Sequence, residues 1–385
     1  MAPEETPTVG GELDAGVHLL TDVATGVLGT VEDMHRTLAP DAHRLVASRI
    51  YDAVRVGVLA GGAVLQLAAR TTVRYAPTVL DARGVQRAVG FANGAFAEHA
   101  EARGGAVPAT MTVRLDGRRV DLDRGSLAAA YPSASGRVVV LLHGLVETDR
   151  SWFHEADPEK ARSGTDFGSG LAADLPCTPV YVRYNTGRHI SDNGQELVDL
   201  LGELIEGWPA PVREVVLVGH SMGGLVARSA VHQANERALP WLPKVTRLVC
   251  LGSPHTGAPL ERGVVRLAGV LGGFAASAPL GRLLGLRSDG IKDLARGRLH
   301  RDQWDGGRSV DTVLPAGVRQ FFLAVTLSRA EGSLWSRLVG DGLVAPSSAA
   351  DPSQTADVRW LGGMHHFDLL HHDAVYAALL SWLRS

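Results

Sequence analysis

Apolar and polar positions along the chain follow two different periods, and the change between them lies near Pro108. Over residues 13–69, and again over residues 83–103, apolar side chains recur about every 3.6 positions, which is the helical spacing. We therefore predict a helical N-terminal region over residues 1–108. Its apolar faces must pack against a partner. That partner would be the region itself, the rest of the chain, a second subunit or a membrane.

The second region, residues 109–385, has the pattern of an α/β protein. Alternating residues on either side of Asp116-Gly117 predict a β-hairpin. Short runs rich in Val and Leu then alternate with helical stretches, which is typical of a mostly parallel sheet that helices cover on both faces. The predicted strands are 138–142, 179–183, 214–218, 247–251, 320–325 and 358–361, and the predicted helices are 194–208, 222–237 and 373–383.

One connection is much longer than its neighbours. The segment between residues 251 and 320 exceeds what a crossover between two strands needs. It contains residues 263–286, which are rich in Gly, Leu, Val and Ala and carry several arginines. We interpret residues from about 256 to about 316 as a cap over a site. The alternative is a decoration that packs on the sheet edge.

Composition narrows the class of protein further. Of 385 residues, 45% are hydrophobic and 21% are charged, so the chain can bury a sizeable core. The net charge of −3 gives no basic field for nucleic acid. The two cysteines cannot form a disulfide framework, and we expect buried free thiols.

The acidic N-terminus lacks the pattern of a signal peptide, and no uncharged stretch reaches the roughly 18–20 residues of a membrane span. We therefore expect a cytoplasmic protein that can touch a membrane or lipid surface.

The strongest chemical signal is Gly219-His-Ser-Met-Gly223. A predicted strand precedes it and a predicted helix follows it, which is the context that makes a G-x-S-x-G motif a nucleophile elbow. Such a turn holds the serine in a strained backbone conformation above the sheet. The serine then lies at a helix N-terminus, where the dipole favours developing negative charge. Ser221 is the predicted nucleophile.

A serine nucleophile needs a base and an orienting acid, which follow it in the order acid, then His. For the acid we choose Asp341, which sits between glycines after the predicted strand at 320–325. Asp311 and Asp351 are the competitors.

Four histidines, at positions 365, 366, 371 and 372, follow the last predicted strand, where the base belongs. The pattern favours His365 or His366 and does not separate them. A histidine cluster can also bind a metal ion, but no cysteine lies nearby and the local carboxylates show no ligand spacing. We predict no metal and no cofactor.

An oxyanion hole needs backbone N–H groups near the serine. We assign them to Met222, directly after the nucleophile, and to Leu145, in the His-Gly loop that follows the first central strand. His143 in that loop borders the predicted substrate site, where we expect it to act as a packed structural residue. Trp152 and Phe153 would give an acyl chain an apolar surface.

Taken together, the motifs resemble the lipase-like branch of the α/β-hydrolases, and especially bacterial esterase and lipase proteins related to the catalytic domain of GPI inositol-deacylases. The segments that carry the resemblance are LLHGLVET from 141, YNTGRHIS from 184, GHSMGG from 219, LGSPHTGAPL from 251, GDGLV from 340 and HFDLL from 366.

This resemblance implies an α/β-hydrolase fold, and it implies that the Asp of the Asp-Gly-Leu-Val segment, Asp341, is the triad acid. It also implies that the triad histidine precedes an apolar residue and Asp, which fits His366-Phe367-Asp368. Some relatives bind calcium through the Asp at that last position. Because we identify no second ligand, we do not predict calcium here.

The resulting hypothesis is a serine hydrolase that cleaves a small-molecule ester or lipid through an acyl-enzyme. One alternative is an acyltransferase or thioesterase with the same triad. Another is a lipid- or partner-binding module on a hydrolase scaffold, with the N-terminal helices as its working surface.

Overall fold

The computed structural model describes residues 110–145, 147–153, 166–255, 289–303, 314–326, 348 and 356–385. The predicted N-terminal helical region lies outside these residues. So do residues 263–286 and most of the predicted cap, of which the structure describes 289–303 and 314–316.

Eight strands form one sheet in the order β2-β1-β4-β3-β5-β6-β7-β8. Strand β1 is antiparallel to both of its neighbours, and the other strands pair in parallel. This strand order, with an antiparallel hairpin at one edge, is the α/β-hydrolase fold, as predicted. The strands are β1 Thr112–Leu115, β2 Arg118–Val120, β3 Arg137–Leu142, β4 Thr178–Arg183, β5 Glu214–His220, β6 Val245–Leu251, β7 Arg319–Thr326 and β8 Ala356–Gly362.

The helices lie between the strands. They are α1 Arg124–Ala130, α2 Phe167–Asp174, α3 Ile190–Gly207, α4 Met222–Glu236, α5 Asp289–Arg296 and α6 Asp373–Arg384. The predicted strands, the hairpin at Asp116-Gly117 and the three predicted helices are confirmed to within a few residues. Sequence reasoning missed α1, α2 and α5, which are short. Asp123 and Asp166 are the N-cap residues that precede α1 and α2, and each carboxylate accepts two backbone N–H groups.

Strand residues alternate between two apolar layers. In β3, Val138 and Val140 pack with the layer that holds α3 and α4, whereas Val139 and Leu141 pack with the layer that holds α2 and α6. Strand β5 alternates in the same way. Because both faces are covered, the central strands are apolar at nearly every position, which is why they appear in the sequence as continuous apolar runs.

The carboxyl ends of the parallel strands meet at one edge of the sheet. Leu142 at the end of β3 pairs with Gly219 of β5, and His220 of β5 pairs with Leu251 of β6. The loops that follow β3, β5 and β6 therefore start side by side. In open α/β sheets, ligands bind at this edge.

The expectation of buried free thiols is confirmed: Cys177 and Cys250 are both buried and unbridged. Across the described part of the chain, no helix combines the length and the apolar character that crossing a membrane requires.

Candidate active site

Ser221 has a backbone conformation that is rare for a residue with a side chain. Its φ is 51° and its ψ is −117°, and α4 begins at the next residue. Its backbone N–H donates to the carbonyl of Leu251, at the end of β6, over 2.8 Å. A non-glycine residue at positive φ stores strain that the surrounding structure must hold in place. The elbow predicted from the motif is therefore present.

Three glycines around Ser221 are required by close packing. A Cβ on Gly219 would lie 2.2 Å from the backbone nitrogen of Gly224. A Cβ on Gly223 would lie 2.5 Å from the carbonyl oxygen of Leu142, and one on Gly224 would lie 2.1 Å from Ser253 Oγ. A methyl group on Gly219 or Gly223 would meet backbone atoms, so β3, β5 and α4 can approach this closely only with glycine at both positions. At Gly224 the methyl group would meet side chains of Cys250 and Ser253, on and after β6.

The loop after β3 lies against the serine. A Cβ on Gly144 would lie 3.1 Å from Ser221 Cβ. Leu145 follows Gly144 directly, and Met222 is the first residue of α4, where backbone N–H groups have no intrahelical acceptor. The structure thus brings both predicted oxyanion donors to the neighbourhood of Ser221, and their role stays a prediction.

A buried carboxylate connects this loop to the elbow. Glu147 Oε2 accepts the backbone N–H of Gly144 over 2.6 Å and lies 3.1 Å from His220 Nδ1. The other ring nitrogen of His220, Nε2, lies 3.3 Å from the carbonyl oxygen of His366. Sequence reasoning missed this role for Glu147 and His220. Both belong to motifs that we had singled out, but no spacing rule pairs residues from two separate loops.

The electrostatics of Glu147 favour its charged form. Burial alone would raise the pKa of this carboxyl, but the charge and hydrogen bond of His220, with the hydrogen bond of Gly144, outweigh burial. The pKa of Glu147 is therefore lowered from its ordinary value. The Glu147–His220 pair holds the loop after β3, the elbow and the loop after β8 in one arrangement.

The two histidines that the pattern left open differ in position. His366 is 3% exposed, and its ring centroid lies 4.9 Å from that of His220. A Cβ on Gly252 would lie 3.1 Å from His366 Cε1, while the neighbouring Leu251 bonds to Ser221. The side chain of His365 is 59% exposed. The geometry therefore brings His366, and not His365, next to the elbow.

The predicted acid lies outside the described residues. Asp341 and its competitors Asp311 and Asp351 all fall in ranges that the structure does not describe. The choice of Asp341 therefore stays a prediction.

His143 is fully buried and stacks on Tyr184, with ring centroids 4.4 Å apart. The backbone N–H of Tyr184 points to His143 Nε2 over 3.3 Å, which leaves the proton on Nδ1, 2.9 Å from the carbonyl of Gly144. Burial is the main cause that lowers the pKa of His143 to about 4. The ring is neutral and packed, and it supports the shape of the loop.

The two aromatic residues proposed for acyl contact lie at different depths. The indole of Trp152 is fully buried in the core and lies 6.4 Å from Phe167 by ring centroids. Phe153 is half-buried and lies 5.0 Å from Tyr181. The structure gives Trp152 a packing role, and acyl contact by either residue stays a prediction.

The described part of the predicted cap lies beside Met222. The backbone N–H of Gly290 in α5 donates to the carbonyl of Gly187 over 3.1 Å. A Cβ on Gly290 would lie 3.0 Å from Met222 Cε. Nearby, Asp293 Oδ2 lies 2.9 Å from His189 Nδ1, at the start of α3. The insertion therefore re-enters the fold next to Met222.

Parts of this chain are similar to known proteins. A family model described as "PGAP1-like alpha/beta domain" matches residues 184–275, which include the elbow and amount to well under half of the chain. No curated protein sequence matches the chain.

Among solved structures, the mature lipase BlEst2 of Bacillus licheniformis is 22% identical, covers 72% of this chain and 98% of its own, and gives a TM-score of 0.44. The RedJ thioesterase of Streptomyces coelicolor is 19% identical, with coverage of 66% and 91% and a TM-score of 0.38. An esterase of Pyrococcus furiosus is 14% identical, with coverage of 66% and 81% and a TM-score of 0.38. At these low scores, the assignment of the fold rests on the strand order and that of the site on its geometry.

Proposed function

We propose that the protein is a serine hydrolase that cleaves a carboxylic ester of a small molecule or lipid. The observation that carries the proposal is the strained backbone of Ser221 at the end of β5, with φ 51° and with the Gly144 loop packed against its Cβ. A strained nucleophile position between a strand and a helix is costly without a function to maintain it. His366 next to the elbow supplies the base that a serine nucleophile needs.

In the proposed reaction, Ser221 Oγ attacks the ester carbonyl carbon while His366 accepts the hydroxyl proton. The carbonyl oxygen becomes an oxyanion that the N–H groups of Leu145 and Met222 stabilise. The C–O bond to the leaving alcohol breaks, and His366 protonates that alcohol, which leaves an acyl-Ser221. Water then attacks the acyl-enzyme by the same steps and releases the acid. Asp341 orients His366 and stabilises its charged form.

Glu147 acts on this chemistry through position. It holds the N–H of Gly144 and the ring of His220, and so it fixes the loop that carries Leu145 relative to the elbow. A small displacement of an oxyanion donor costs much of the rate, because the donor must meet the charge as the charge develops.

The test is the hydrolysis of p-nitrophenyl esters of increasing acyl length by the wild type, Ser221→Ala and Ser381→Ala. Ser381 lies on α6 and bonds to a carbonyl of its own helix, so it controls for the loss of a serine as such. We expect Ser221→Ala to lose about 10⁴- to 10⁶-fold in kcat and Ser381→Ala to keep wild-type activity. Full turnover by folded Ser221→Ala would overturn the proposal.

Competing acceptors separate hydrolysis from acyl transfer. The acyl-enzyme is the same in both, so an added alcohol or thiol that captures most of the acyl group would identify a transferase. If folded wild type turns over no ester or thioester, a binding module on a hydrolase scaffold becomes the better account.

A further inference from the structure

Three side chains that the proposed reaction does not use converge at the far end of α4. His232 and Glu236 lie one turn apart on this helix, and His300 follows α5 in the insertion. His232 Nε2 lies 3.5 Å from one carboxylate oxygen of Glu236, and His300 Nε2 lies 3.7 Å from the other. One nitrogen or oxygen atom from each of the three residues lies within 4.8 Å of the other two.

The burial of His232 calls for a partner that the neighbouring residues do not provide. The residue is only 7% exposed, and neither ring nitrogen forms a hydrogen bond within the described ranges. Buried polar groups are normally satisfied, because leaving one without a hydrogen bond costs free energy. His232 Nε2 faces Glu236 at 3.5 Å, and in the tautomer with its proton on Nδ1 this nitrogen would offer its lone pair to an ion.

The separations fit a coordination shell better than a hydrogen-bonded cluster. Metal–ligand distances of about 2.0–2.1 Å in a tetrahedral site put neighbouring ligand atoms about 3.4 Å apart. The observed separations are 3.5 Å from His232 Nε2 to one oxygen of Glu236 and 3.7 Å from His300 Nε2 to the other oxygen. Both are close to this ligand–ligand distance and longer than a good hydrogen bond. His300 Nδ1 accepts the backbone N–H of Asp302 over 3.3 Å. An ion on Nε2 would require the tautomer with the proton on Nδ1, and that proton would face the Asp302 carboxylate, 3.6 Å away.

We propose that His232, Glu236 and His300 bind a divalent transition-metal ion of the zinc class. Two imidazoles and one carboxylate suit Zn²⁺, Co²⁺ or Ni²⁺, whereas Mg²⁺ and Ca²⁺ prefer shells of oxygen ligands. Glu236 is exposed and His300 is partly exposed, so a water molecule can complete the shell from solvent. The sequence did not indicate this site, because His300 lies far along the chain from α4.

The ion would tie the insertion to the helix that starts at the nucleophile. Ser229, earlier on α4, already donates its hydroxyl to the carbonyl of Leu299 over 2.6 Å, so the segment that carries His300 is held in place before an ion binds. That same segment contains α5, whose Gly290 lies next to Met222. Metal binding would therefore stabilise the position of α5 and His300 beside Met222, the proposed oxyanion donor.

The test is titration of the full-length, chelator-treated protein with Zn²⁺ by calorimetry and with Co²⁺ by visible absorption. We expect one tight ion per chain and a Co²⁺ spectrum of nitrogen and oxygen ligands in low coordination number. Glu236→Gln and His300→Asn should each weaken binding by more than about 100-fold, because loss of even an outer-shell partner costs about 10–100-fold. Both side chains are at least partly exposed, so these variants should fold.

The matched control is His189→Asn. His189 also joins the insertion to the main fold, through Asp293 and Asp289, but it is not a proposed ligand. This variant should bind Zn²⁺ as the wild type does. Zn²⁺ should also raise the melting temperature of the wild type and of His189→Asn, and leave that of His300→Asn unchanged. Absence of a tight ion in the wild type, or affinity unchanged in Glu236→Gln and His300→Asn, would overturn the proposal.

Discussion

The two ends of helix α4 are built in different ways. At its N-terminal end, backbone packs against backbone around Ser221, and glycines at 219 and 223 make the close approach feasible. At its C-terminal end, long side chains from α4 meet His300 of a distant segment. The first arrangement depends on consecutive residues and tolerates no added methyl group. The second depends on side-chain chemistry, at a segment that the hydrogen bond from Ser229 to the carbonyl of Leu299 also holds.

We expect the largest effect from a substitution at Gly219, in the close-packed N-terminal end of α4. In Gly219→Ala, the new Cβ would meet the backbone nitrogen of Gly224 at 2.2 Å, and backbone atoms cannot rotate away. We expect a loss of about 3 kcal/mol in the free energy of unfolding, the upper end for overpacking. We also expect about a 100-fold loss in kcat/KM, because Ser221, the proposed nucleophile, is displaced. Urea unfolding and ester hydrolysis measure the two effects.

Gly202→Ala is the control for this substitution. Gly202 lies inside α3, and its nearest contact for a new Cβ is Trp241 Nε1 at 3.5 Å, an ordinary van der Waals distance. Alanine should stabilise the helix there by about 0.5–1 kcal/mol with no change in activity. Equal behaviour of the two variants would show that the elbow is not close-packed as described.

At the N-terminal end of α4, one side chain, that of Glu147, also supports the packed backbone. Glu147→Gln keeps the size and removes the charge that pairs with His220. We expect a loss of about 2 kcal/mol in stability, typical of a charged hydrogen bond. We also expect about a tenfold loss in kcat with little change in KM, because Glu147 holds the loop and does not contact substrate.

Glu203→Gln, at an exposed position on α3, is the matched control and should change neither parameter. Because the pKa of Glu147 is lowered on folding, its contribution is present above the ordinary value of 4.5 and is lost as the pH falls through the folded value. The wild type should therefore lose more stability than Glu147→Gln over that acid range. A rise in KM with kcat unchanged would assign Glu147 to substrate binding instead.

The last effect concerns pH and His143, and it appears in stability alone. Its folded pKa of about 4 lies below the ordinary 6.5, so between these values the unfolded chain binds the extra proton and stability falls as the pH falls. At pH 5 the contribution of this residue amounts to about 2 kcal/mol of lost stability. Chemical unfolding from pH 7 to pH 5 should show a steeper loss for the wild type than for His143→Asn. An equal loss of stability in the wild type and in His143→Asn would contradict a buried, neutral His143 ring.

Much of the fold could be predicted from the sequence, because most of its strands and long helices show a regular spacing of apolar residues. The strands at the sheet centre are apolar on both faces, and α3, α4 and α6 are long enough to show a helical repeat. Helices α2 and α5 are only eight residues each, too short for a period to stand out against their neighbours.

The sequence indicated those parts of the site that lie within a single motif. Ser221 and its glycines form one continuous motif, so strand, turn and helix could be inferred together. The pairing of Glu147 with His220, and of His232 with His300, joins side chains from separate segments. Such pairs depend on how loops pack, which no periodicity along a single chain encodes.

The most direct test of the central claim is to locate the reactive serine chemically. A fluorophosphonate probe reacts with an activated serine, and digestion with peptide mass spectrometry identifies the labelled residue. The account predicts one adduct, on the peptide that contains Ser221, and no labelling of folded Ser221→Ala. An adduct on a different residue, or equal labelling of the wild type and Ser221→Ala, would contradict it.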